Sequence, residues 1–137
     1  MTRGPLTFLA IALALLAIIT PAPARAHHSF AAQYDRNKPI NLTGPVSRVE
    51  WMNPHVYFYM DVTDPGGKVT HWSVEGGAPN TLYRAGWRKD SVKFGDVVTV
   101  NGYLARDGSK LVNLQSAVLA DGRNLFVGIQ PPPAKGR

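Results

Sequence analysis

The chain has 137 residues, with 15 Lys and Arg against nine Asp and Glu, four His and no Cys, giving a formal net charge of +6. That length suits one domain with one core, and the missing cysteines exclude disulfides, thiolate metal sites, iron–sulfur clusters and thiol nucleophiles. The positive excess is mild and scattered, which argues for a charged soluble surface and against a nucleic-acid partner.

Residues 1–26 read as an export signal. Arg3 supplies a positive start, residues 6–20 are almost wholly apolar, and Ala24-Arg25-Ala26 fits a small-x-small cleavage pattern. An apolar run of 15 residues followed by Pro21 and Pro23 is shorter than the roughly 20 residues that span a bilayer. No stable membrane span is therefore expected after cleavage between Ala26 and His27, and the product is expected in the periplasm or outside the cell. Arg3 and Arg25 leave with the signal, so 13 basic and nine acidic residues remain, a net +4.

Residues 27–39 have no sustained period and read as an arm lying on the domain. A short helix from Ser29 to Tyr34 would place Phe30 and Tyr34 on one face. Residues 40–129 then read as the folded domain and 130–137 as a disordered tail. In the first expected strand, Ile40 to Trp51, the residues Ile40, Leu42, Gly44 and Val46 share one parity while Val49 and Trp51 take the other. One extra residue near Ser47-Arg48 restores an inward face, which is the signature of a bulge.

Asn53-Pro54 marks a corner. Beyond it, Val56, Phe58, Met60 and Val62 alternate with His55, Tyr57, Tyr59 and Asp61. Thr63-Asp64-Pro65-Gly66-Gly67 reads as a hairpin loop, and Lys68 to Glu75 returns. Pairing the apolar faces puts odd residues opposite odd ones, so His71 falls opposite Tyr59 or Asp61, and in the nearer register His55 falls opposite Glu75. Pro79 suits the first turn of a short helix through Ala85, closed by Gly86, with Leu82 and Tyr83 packed inward. Strands over 97–104 and 110–119 and a short one over 125–127 follow.

Three strands, a short helix and two to three more strands, with the first strand bulged, is the order of an OB-fold, a small Greek-key barrel of five to six strands. A β-sandwich is the alternative, but it normally has about seven strands and no place for the helix.

At His27-His28-Ser29-Phe30-Ala31, Glu50-Trp51-Met52-Asn53-Pro54-His55 and Tyr83-Arg84-Ala85-Gly86-Trp87 the chain resembles a family of small exported bacterial proteins of unknown function. The resemblance covers most of the mature chain and implies export and one small domain. It implies no catalytic residue.

The candidate metal ligands are His27, His28, His55 and His71. A first-residue histidine offers a free amine and an imidazole nitrogen that close one chelate ring on Cu(II), and copper heads the affinity order for nitrogen sites. A further imidazole, from His55 or His71, would complete a three-nitrogen set. Tyr57, Tyr59, Asp61 and Glu75 make up a candidate ligand face beside them. The competing reading is a hydrogen-bonded polar face on a half-solvated hairpin. No nucleophile elbow, paired-carboxylate motif or phosphate loop occurs. The leading expectation is a non-enzymatic exported binding module for a small ligand, with copper the first candidate ion. A structural or protein-interaction module without metal is the alternative, and a copper-dependent oxidase or oxygenase ranks below both.

Overall fold

The computed structural model describes residues 30–127. Residues 1–26, read above as an export signal, His27, His28 and the tail from 130 to 137 lie outside the described residues. The elements are α1 (Phe30–Gln33), β1 (Tyr34–Glu50), β2 (Tyr57–Thr63), β3 (Val69–Glu75), α2 (Pro79–Arg84), β4 (Val97–Ala105), β5 (Leu111–Val118) and β6 (Asn124–Phe126).

The strands form one sheet in the order β3-β2-β1-β4-β5-β6, and a parallel pairing of β3 with β5 closes it. That is the OB-fold barrel expected from the element order. Alternate residues of β1 to β5 supply the core: Val46, Met60, Val74, Val98, Val100, Val112 and Leu114 are all buried. Side chains of this size contribute about 2 kcal/mol each when fully removed from water.

β1 spans both halves of the barrel. Its residues 39–45 pair with β4 and residues 46–50 pair with β2. The register slips between Val46 and Arg48, where the parity of the sequence slips too. A bulge there lets one long strand bend from one partner to the other. Val46 is the hinge between them, since its amide donates to the Asp96 carbonyl at 2.8 Å and its carbonyl accepts from Gly95 N–H at 2.8 Å. Two residues earlier, an added Cβ at Gly44 would stand 2.1 Å from the Asp61 carbonyl oxygen, so only glycine permits the crossing at this distance.

α2 begins on Pro79 and ends at Arg84, and Gly86, two residues on, has a φ of +95° that suits a residue without a Cβ. Leu82 enters the core, while the Trp87 indole is buried and donates to the Phe126 carbonyl at 2.8 Å. Tyr83, expected to pack inward beside Leu82, is exposed, with the Arg88 guanidinium 4.0 Å above its ring. A helix of six residues turns one face to the core, and adjacent positions about 100° apart do not share it. The expected arm is also shorter than residues 27–39: β1 already begins at Tyr34, opposite Ala105, and resumes after an irregularity at Pro39 opposite Tyr103. Helical periodicity does not extend past Gln33.

Candidate functional site

The hairpin β2–β3 adopts the register with Tyr57 opposite Glu75, Tyr59 opposite Ser73 and Asp61 opposite His71. His55 therefore stands beyond the Glu75 rung and reaches back to it. Its Nδ1 lies 2.5 Å from Glu75 Oε1. The other carboxylate oxygen, Oε2, accepts from the Tyr34 hydroxyl. Glu75 is only 4 % exposed, so a carboxylate that would be costly alone is satisfied by two partners, one on each oxygen, from separate parts of the chain.

The two phenols respond to that carboxylate. Burial first, and then the bond to Glu75, pushes the Tyr34 hydroxyl well above the usual tyrosine range. Burial, followed by the negative charge of Glu75, pushes Tyr57 up to about 12. Both stay protonated at neutral pH, and Tyr34 donates to Glu75 in place of water. The His55 side chain remains 46 % exposed. With Nδ1 committed to Glu75, Nε2 is the ring nitrogen left for a ligand.

This cluster forms the floor of an open cleft of about 1100 Å³, lined among others by Phe30, Tyr34, His55, Tyr57, Arg106 and Asp107. One wall is the arm. Phe30 packs on Tyr34 at 5.6 Å and edge-on to Tyr103 at 5.8 Å. Arg106, in the loop after β4, fastens this wall: its amide donates to the Gln33 carbonyl at 2.9 Å and its Nε to the Ala31 carbonyl at 2.8 Å. Its guanidinium also lies 3.8 Å from Asp35.

The other candidate residues go elsewhere. His71 Nδ1 meets Asp61 Oδ1 at 2.6 Å, but the His71 side chain is 84 % exposed. Four rungs, or about 13 Å of strand, separate this pair from the Glu75 rung. His55 and His71 thus share a face of the hairpin without sharing a site, and the structure does not bring them to one ion. Tyr59 is covered, since the Arg48 guanidinium lies 3.9 Å from its ring centre and its hydroxyl donates to Glu50 at 3.0 Å. Its phenol is raised, by burial and then by the Glu50 bond. Among the described residues, no three His, Asp or Glu side chains are grouped to hold a metal. His27 and His28 fall outside that description.

Tyr34, Arg106, Asp107 and Asn113 join the site without having been singled out as site residues. Asn113 had a readable signal, because barrel closure sets β5 beside β3, and Asn113 pairs with Glu75. Tyr34 and Arg106 had none, as one lies outside any periodic stretch and the other reads as a turn residue.

With this geometry in place, comparison with known proteins adds a family. A model of a family of unknown function, DUF6152, matches residues 14–113, well over half of the chain. The chain belongs to the DUF6152 family. The DUF6152 match includes β1 to β3, α2 and β4, and so takes in His55, Tyr57 and Glu75. No curated protein matches this DUF6152 chain in sequence. Among solved structures, the mitochondrial single-stranded DNA binding protein Rim1 from S. cerevisiae is similar at 15 % identity and a TM-score of 0.47, over 61 % of this chain and 94 % of its own.

Proposed function

We propose that this DUF6152 protein is an exported binding module whose working site is the cleft between the arm and the β2–β3 hairpin, and that the ion it takes is copper. The observation that carries this reading is the His55–Glu75 pair. A histidine that gives one ring nitrogen to a buried carboxylate is oriented to offer the other, which is the usual outer arrangement behind a metal-bound imidazole.

Cleavage after Ala26 would make His27 the first residue, with its free amine and imidazole as nitrogen donors. His28 and His27 stand two and three residues before Phe30, a residue that lines the cleft. A set built from His55 Nε2 and the nitrogens of His27 is rich in nitrogen, and that chemistry selects copper among the divalent ions. The protein's own contribution is to orient His55, through Glu75 and Tyr34, and to hold the arm beside it.

The test is a Cu(II) titration, followed by calorimetry and electron paramagnetic resonance, of protein shown by mass spectrometry to begin at His27. His55→Ala and one extra alanine before His27 should each weaken binding at least about tenfold, and Glu75→Gln by about 10- to 100-fold. His71→Ala should leave affinity unchanged. Equal affinity in the His55→Ala protein would remove the cleft from consideration as the copper site.

A further inference from the structure

The outer surface of β1, β4 and β5 differs chemically from the rest of the barrel. Asp, Glu, Lys and Arg make up 18 % of the chain, yet residues 39–45, 97–103 and 111–118 contain none of them and no His. These three stretches are neighbours in the sheet. Their outward side chains include the amides of Asn41, Asn101 and Gln115, the hydroxyls of Thr43 and Thr99 and the ring of Tyr103, with Pro39, Pro45 and Val97 exposed beside them.

The groups are tied into a ladder across three strands. Asn41 Nδ2 donates to Asn101 Oδ1 at 2.7 Å, Asn101 Nδ2 donates to Ser116 Oγ at 3.3 Å, and the Thr43 and Thr99 hydroxyls meet at 2.9 Å. A bulge in β5 adds to it. Asn101 pairs with Ser116 but Gly102 pairs with Leu114, so Gln115 is the extra residue, and its amide donates to Asn113 Oδ1 at 2.7 Å. Bulges re-aim side chains in this way. Beside the ladder is a depression of about 340 Å³, lined by Pro39, Ile40, Asn41, Asn101, Tyr103 and Gln115.

We propose that this depression is a subsite for one sugar residue of a neutral glycan, with hydroxyl or acetamido groups on the amides of Asn41, Asn101 and Gln115 and a C–H face on Tyr103. Each amide uses part of its hydrogen-bonding capacity on its neighbour and keeps the remainder for a ligand. The cross-strand bonds fix those free donors and acceptors in advance, so little side-chain order is lost on binding. A charged ligand would give up hydration here without meeting a counter-charge, and a purely apolar one would leave the amides unpaired. A neutral polyol with a C–H patch satisfies both requirements. Tyr103 also packs against Phe30, so the subsite adjoins the cleft, and a glycan chain has room to continue along the arm.

The experiment is a titration of ¹⁵N-labelled mature protein with triacetylchitotriose, maltotriose and, as a charged control, a trisaccharide of galacturonic acid. At millimolar concentration at least one neutral trisaccharide should shift the side-chain amides of Asn41, Asn101 and Gln115, and the charged one should not. Gln115→Ala, at an exposed position, should weaken binding about tenfold, the loss expected for one hydrogen bond, while its spectrum elsewhere stays native. Tyr103→Ala should weaken it further, and His55→Ala should not change it. No shift with either neutral sugar, shifts confined to the His55 cleft, or unchanged affinity in Gln115→Ala would each overturn the proposal.

Discussion

Two histidine–carboxylate pairs lie on one face of the same hairpin. In both, a ring Nδ1 meets a carboxylate oxygen, at 2.5 Å for His55–Glu75 and 2.6 Å for His71–Asp61. Their surroundings separate them. Glu75 is buried and shared with Tyr34, whereas Asp61 and His71 face water. Water competes for the outer pair and screens it, so its net worth is small. Glu75 has no water to fall back on, and loss of its partners exposes the cost of an unsatisfied buried group. Contact distance alone does not rank such pairs.

The largest test of this contrast acts on the backbone of the outer rung. Gly44→Ala should cost about 3 kcal/mol or more in urea denaturation, because the added Cβ overlaps the Asp61 carbonyl and β1 must shift away from β2. Glu75→Ala should cost about 2 kcal/mol, since it leaves the Tyr34 hydroxyl buried without its acceptor. Asp61→Ala should change stability by no more than about 0.5 kcal/mol. Equal losses for Glu75→Ala and Asp61→Ala would break the comparison.

A smaller effect concerns Tyr59, which lies between the two rungs. Its phenol is raised by burial and by the bond to Glu50. The neutral form is therefore favoured by folding: this contribution to stability is present below the ordinary tyrosine pKa and is lost as pH rises through the folded value. Glu50→Gln removes the acceptor's charge and should move the Tyr59 titration down toward the ordinary range, as read from its ¹³Cζ shift. An unmoved titration would assign the effect to burial.

The strands were legible because their patterns are local. Alternation from Val56 to Val62 is the period of a half-buried strand, and the slip at Ser47-Arg48 marked the bulge that bends β1. The order of elements then fixed the barrel. The hairpin register was narrowed to two choices by parity, and the structure takes the one that pairs His71 with Asp61. The inner cluster was only half legible. His55 was set opposite Glu75 only in the register the structure does not take, and it meets Glu75 by reaching back from beyond that rung; Tyr34 reaches Glu75 across 41 positions of chain, a closure that no local period encodes. Tyr83 was misplaced for a local reason, since it follows Leu82 on a short helix with one face to the core and is left exposed under Arg88.

Arg106 touches the arm at Ala31, Gln33 and Asp35, all on one short stretch. Release of this side chain and its amide, together with the Phe30 contacts to Tyr34 and Tyr103, would free α1 without disturbing any rung between β2 and β3. The arm is thus a separate unit of local opening, and its amides should exchange with solvent well before those of the barrel strands. The lifetime of the cleft's outer wall then depends on the loop between β4 and β5 and on the Phe30 ring contacts, on a clock independent of global unfolding.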